Sequence, residues 1–170
     1  EGSKVENQWA IDLENDSING FEDGLVGIAV NGEDSTGSNS GGINIGAKKK
    51  TKYSIGMLAE NKATIKNKAG GKITGFGENN VGMYSRGANL KETTAINEGI
   101  VDMQNKGSAG MFGQNTTILN RGKINVEENS AAMYASDANA TNEKDIEVKG
   151  QNSAGILEEL GDYVQIEGKN

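Results

Sequence analysis

Cysteine, histidine and proline are all absent from this 170-residue chain. Without the first two there is no thiol nucleophile, no disulfide, no imidazole base and no common zinc or copper site. Aromatic residues make up only 5%, and no apolar run approaches the ~18 residues of a membrane-spanning helix. Lys and Arg number 17 against 24 Asp and Glu. A net charge of −7 argues against nucleic acid or an anionic membrane as partner, since both reward basic stripes. No signal peptide opens the sequence, so any targeting or membrane part is expected outside it.

Glycine, at 25 residues, and asparagine are abundant, and both tolerate left-handed turns. The hydrophobic fraction is 34%, low for a globule but enough for a solenoid, in which one line of side chains per strand must be apolar.

One stretch returns along the chain. Ser108-Ala109-Gly110-Met111-Phe112 has relatives at Ser54-Ile55-Gly56-Met57-Leu58, Asn80-Val81-Gly82-Met83-Tyr84, Ser130-Ala131-Ala132-Met133-Tyr134 and Ser153-Ala154-Gly155-Ile156-Leu157, with a weaker copy at Val26-Gly27-Ile28. A second marker alternates with it, as in Ile118-Leu119-Asn120-Arg121-Gly122-Lys123-Ile124-Asn125-Val126 and Ala95-Ile96-Asn97-Glu98-Gly99-Ile100-Val101-Asp102-Met103. The unit is about 22 to 23 residues in its regular copies and has three alternating segments between Asn/Gly turns. Helical periodicity is missing. The pattern predicts an all-β parallel β-helix of about six coils, each of three short strands. Residues 1–24 are expected to form an N-terminal strand or cap and 25–170 the coils. Trp9, the only tryptophan, stands where it would cover an open core end.

Alternation predicts the faces. In the first strand, Ile55/Met57, Val81/Met83, Ala109/Met111, Ala131/Met133 and Ala154/Ile156 are expected inward. The marker glycines, with Leu58, Tyr84, Phe112, Tyr134 and Leu157, are then outward. In the second strand Ile65, Ala95, Ile118 and Ala140 face in. The third strand buries Ile43/Ile45, Val101/Met103, Ile124/Val126, Ile146/Val148 and Val164/Ile166. A column of Asn67, Asn97, Asn120 and Asn142 falls at an inward turn, where stacked amides supply each other's hydrogen bonds; it reads as structural.

The outward row Leu58, Tyr84, Phe112, Tyr134 and Leu157 has two readings. It is a contact surface for a protein or sugar, or a stack of like residues that stabilises its sheet. The column Asp102, Asn125 and Glu147 is the nearest approach to a carboxylate site of a β-helix lyase or hydrolase, but it reads foremost as a solvated face. The Asp-rich nonapeptides of calcium repeats are missing. No catalytic set, metal site or cofactor is expected.

The alternation of S-A-G-M-[YF] with N-x-G-x-I-x-V resembles the passenger region of fusobacterial type V autotransporter adhesins over roughly residues 54–157. The resemblance implies a right-handed β-helix cut from a longer passenger, exposed on the bacterial cell surface outside the outer membrane. It implies attachment to a host or bacterial surface protein or glycan, without catalysis. The alternatives are a polysaccharide-processing β-helix enzyme and a purely structural stalk. This segment is expected to be monomeric, with some tendency of its open ends to pair, and not to insert into a membrane.

Overall fold

The computed structural model describes residues 2–14, 24–48, 51–88, 92–159 and 166–168, the last three by backbone alone. Among them the chain forms strands and no helix. Sheet A holds β1 (Lys4–Asn7), β4 (Thr36–Asn39), β7 (Thr64–Asn67), β10 (Thr94–Asn97), β13 (Thr117–Asn120), β16 (Asn139–Asn142) and β19 (Ile166–Gly168). Sheet B holds β2 (Ala10–Leu13), β5 (Gly42–Ile45), β8 (Lys72–Gly75), β11 (Ile100–Met103), β14 (Lys123–Val126) and β17 (Ile146–Val148). Sheet C holds β3 (Val26–Asn31), β6 (Ile55–Glu60), β9 (Val81–Arg86), β12 (Ala109–Gln114), β15 (Ala131–Ser136) and β18 (Ala154–Glu159).

Every pairing is parallel and joins strands one coil apart, such as Ala95 with Ile118 and Val101 with Ile124. The chain is therefore a parallel β-helix of six three-strand coils, with β19 beginning another turn of sheet A. At about 4.8 Å per coil, six coils rise roughly 30 Å. β1 and β2 pair with β4 and β5, so the stack already includes residues 4–13.

The core is a set of columns. Sheet A contributes Ile65, Ala95, Ile118 and Ala140; sheet B Ile43, Ile73, Val101 and Ile124; sheet C Met57, Met83, Met111 and Met133, all without solvent exposure. Each large apolar side chain so buried stabilises the coil by about 1.5–3 kcal/mol. The unbranched methionines stack one over another and fill the space between the branched columns.

Three expectations need correction besides that for Val148, which is 37% exposed on the last strand of sheet B rather than buried. Trp9 is 83% exposed and covers nothing. The pair Val164/Ile166 does not continue sheet B: Val164 lies outside the described residues, and Ile166 pairs with Ala140 in sheet A.

The third correction concerns parity in sheet C. Gly56, Gly82, Gly110 and Ala132 face the core, not the solvent. A Cβ on Gly110 would lie 2.5 Å from Ile124 Cγ2 and 2.6 Å from the Ala132 carbonyl oxygen. Gly56 and Gly82 meet Ile73, Val101 and the next coil's carbonyl in the same way. The following residue, Met57, Met83, Met111 or Met133, is also buried, so two consecutive residues point inward and the alternation slips by one. The ladder reflects this, pairing Ala109 with Ala131 and Met111 with Met133 while passing over the residue between. Ile55, Val81, Ala109, Ala131 and Ala154 are thereby turned to the outer face.

Candidate functional site

The slip in sheet C shapes the outside of the rod. Outward side chains there sit three residues apart, at 81 and 84, 109 and 112, 131 and 134, 154 and 157. Two inward residues lie between the members of each pair, so the outer surface between the columns is bare backbone. A groove of about 470 Å³ results, with Val81, Ala109, Ala131 and Ala154 along one side and Phe112, Tyr134 and Leu157 along the other. In its later coils the first column is alanine, where earlier coils carry Ile55 and Val81, and that opens the groove.

The aromatic wall is continuous. The Tyr84 and Phe112 rings stack with centroids 4.8 Å apart and planes inclined by 18°, while Tyr134 meets Phe112 edge to face at 4.7 Å and 79°. Leu58 precedes them in register and Leu157 follows. All five residues are partly or fully exposed, Leu157 at 44%. The Tyr84 hydroxyl donates to Gln114 Oε1 at 3.2 Å. Burial pushes the Tyr84 phenol upward, and the Tyr134 phenol is pushed up to about 12, chiefly by its hydrogen bond to the Glu159 carboxylate.

The far edge of the groove is a ledge of turns. Asn79, Gly107, Asn129 and Asn152 share one position in the coil, and all have φ between 53° and 71°. That left-handed conformation favours the Asn or Gly of these four coils, while Tyr53 adopts it at the same place in the second coil. The next residue is Ser108, Ser130 or Ser153, with Asn80 in the third coil. Each caps the turn before it: Ser108 N–H donates to Ser130 Oγ at 3.1 Å, Ser130 N–H to Ser153 Oγ at 3.2 Å, and Ser54 N–H to Asn80 Oδ1 at 2.9 Å. The serine of the repeated motif thus has a structural task that alternation alone does not reveal.

Asn67, Asn97, Asn120 and Asn142 form a separate internal array at the corner between sheets A and B. Asn7 and Asn39 belong to it as well. Each Nδ2 donates to the next coil's Oδ1 at 2.8–2.9 Å, from Asn7 through to Asn142. In several coils the second amide proton reaches a carbonyl two residues on, as in Asn39 to Gly41 and Asn120 to Gly122. A carbonyl only accepts, so this contact fixes which end of the amide is nitrogen. The array is saturated from within and offers nothing to a ligand.

On the outside of sheet B, Asp102, Asn125 and Glu147 are in register on successive coils. Asp102 accepts hydrogen bonds from Gln104 at 2.8 Å and Asn125 at 3.3 Å and lies 3.8 Å from the Lys72 ammonium. Glu147 sits between Lys123 at 3.1 Å and Lys149 at 3.4 Å. The hydrogen bond from Lys123 is the main reason its carboxyl is held below the usual carboxylate range. Glu147 so held stays ionised near neutrality, the reverse of a carboxyl poised to donate a proton. A second groove, of about 300 Å³ at the corner of sheets A and B, is lined by Arg121, Lys123 and Lys144. Arg121 there pairs with Glu143 at 3.0 Å.

Comparison with known proteins gives no match among curated proteins and none among solved structures. The family model described as the BigA third pectate lyase-like domain matches residues 1–164. That match covers almost the whole stack of coils, and the chain belongs to this family.

Proposed function

We propose that this chain is a non-catalytic, adhesin-like segment of a bacterial surface protein, and that the outer face of sheet C is its contact surface. The observation that carries the reading is the groove between the alanine column and the Tyr84–Phe112–Tyr134 wall. It is an apolar strip continuous over successive coils, and such strips mark interaction surfaces. The family name supports a β-helical domain, and its words "pectate lyase-like" describe the fold. The likeness of the repeats to fusobacterial autotransporter passengers supports placement on the outer side of the outer membrane. Engagement of Asp102 and Glu147 by lysines and amides favours attachment over polysaccharide cleavage.

The test is attachment of the purified chain to host cells and to other bacteria, compared with a variant carrying Tyr84→Ser, Phe112→Ser and Tyr134→Ser. Attachment by the wild type and its loss in the variant is the expected result. Equal attachment by both would leave a plain stalk as the better description. Turnover of a glycan, abolished by Asp102→Asn or Glu147→Gln, would replace attachment with catalysis.

A further inference from the structure

We infer that the sheet C groove takes an extended, basic segment of a partner protein rather than a glycan, an inference that rests on the attachment reading above. The groove crosses the four coils from Val81 to Ala154, about 14 Å at the spacing between strands, or roughly four to five residues of extended chain.

Three observations point to this occupant. The first is the state of the polar groups on the ledge. Ser130 Oγ donates to the Glu128 carbonyl at 3.0 Å, and Ser153 Oγ donates to the Glu127 carbonyl at 2.8 Å. Asn129 Nδ2 donates to Glu128 Oε1 at 3.3 Å, and Asn152 Nδ2 donates to Asn129 Oδ1 at 3.3 Å. The serine hydroxyl protons are thus spent and each asparagine keeps a single amide proton, a small set to replace the water that a sugar's several hydroxyls would give up.

The second is the packing of the wall. Tyr84 and Phe112 lie nearly parallel, each ring covering a face of the other. A sugar ring stacks on an open aromatic face, and here that pair presents mainly edges. An aliphatic side chain or stem needs no such face and fits against Ala109, Ala131, Ala154 and the ring edges.

The third is charge. At the ledge behind the Val81 end of the groove, Glu78 is neutralised by Lys52 at 3.0 Å and Lys106 at 3.6 Å. Toward the other end, Glu128 bonds Asn129 on the ledge, and Glu159 lies two residues beyond Leu157 at the end of β18. Among the described residues neither carboxylate has an ion-pair partner. A lysine or arginine can lay its methylene stem in the groove and bring its cation to these acids.

The probe is a labelled peptide of about eight residues that alternates lysine with valine, titrated by fluorescence anisotropy against the whole chain. Its controls are the Glu–Val counterpart, oligolysine and a panel of neutral and acidic glycans. The Lys–Val peptide is expected to bind at least about 10-fold more tightly than either peptide control. Ala131→Leu, which fills the groove without altering charge, should weaken it about 10-fold, and so should Ala154→Leu near the end of the stack. Circular dichroism and thermal unfolding show whether each variant is folded. Glu128→Gln with Glu159→Gln should weaken binding several-fold and flatten its salt dependence.

Undiminished binding to both folded leucine variants would overturn the inference, as would glycan binding without peptide binding. If cells are bound and the triple serine variant loses attachment, while no peptide binds, this inference falls and the attachment reading stands. Attachment indifferent to the serine variant removes the attachment reading itself.

Discussion

The molecule builds two columns of like side chains by the same device, and they come to opposite ends. The Asn column and the aromatic column each place one residue per coil in parallel register. Inside, each amide of the Asn column is held by its neighbours on adjacent coils, and Asn39, Asn67, Asn97 and Asn120 have no solvent exposure. Outside, the aromatic rings satisfy one another only along the rod axis, and the flank toward the alanine column stays open. Stacking like on like is therefore not itself a sign of function. What separates a structural ladder from a candidate binding wall is whether any side of the column lacks a partner.

The contrast is broken most severely from within. Asn97→Ala would take from Asn67 Nδ2 and Asn120 Oδ1 their inter-coil partner, leaving one amide proton and one lone pair unpaired in a solvent-excluded interior beside the surviving contacts to Ile100 O and from Gly122 N–H. At about 1–3 kcal/mol for each buried group left unpaired, a loss of about 2–4 kcal/mol is expected. Urea unfolding should show it as a lower midpoint at unchanged slope, with attachment per folded molecule unaltered.

Gly110→Ala comes next. Its new methyl must enter space held by Ile124 Cγ2 and the Ala132 carbonyl, so the backbone of the next coil has to shift, an overpacking strain of about 1–3 kcal/mol. Ala132, at the same place one coil on, shows that the methyl fits where the next coil's residue is Gly155, so Ala132→Gly should cost less. If Gly110→Ala were neutral in thermal unfolding, the parity slip would lose its explanation.

Phe112→Ser should cost folding only about 1 kcal/mol through lost ring contacts, yet reduce attachment more than Asn97→Ala does. That reversal between stability and attachment is the sharpest form of the comparison.

The smallest effect is titrational. Tyr134 ionises near 12 rather than near 10 because Glu159 favours its neutral form. A raised pKa means that the contribution to stability is complete below the unfolded value of about 10 and is lost as pH climbs through 12. Absorbance titration should find Tyr84 and Tyr134 ionising late, and Glu159→Gln should bring Tyr134 earlier while leaving Tyr84, which burial displaces, where it is.

The repeat, the parallel coils and the core columns of sheets A and B were legible because alternating apolar residues declare their faces. Asn97 and Asn120 stood out through the recurring Asn-x-Gly turn, and Asn67 and Asn142 through their alignment with it. Asn39 also precedes a Ser-Gly turn, but its strand lacks the apolar lead residues, and Asn7 has Trp9 where the glycine would be. The groove was not legible, for a plain reason. Glycine has no side chain to announce which way it faces, and Ala109–Met111 looks like uninterrupted alternation. Only the close approach of Gly110 to Ile124 exposes the slip, and with it the outward turn of Val81, Ala109, Ala131 and Ala154. The five wall residues were named from sequence; the column opposite them, without which there is no groove, was assigned to the core.

The amide column has a direction. From Asn7 to Asn142 every inter-coil bond runs from Nδ2 of one coil to Oδ1 of the next. Strands lying across the axis nearly cancel their own dipoles, but these side chains all point the same way and polarise one another in sequence. They give the rod an axial dipole, as aligned peptide groups do for a helix, with its positive pole toward the later coils. A cylinder of crosswise strands thereby acquires two electrically distinct ends, whatever charges decorate its surface.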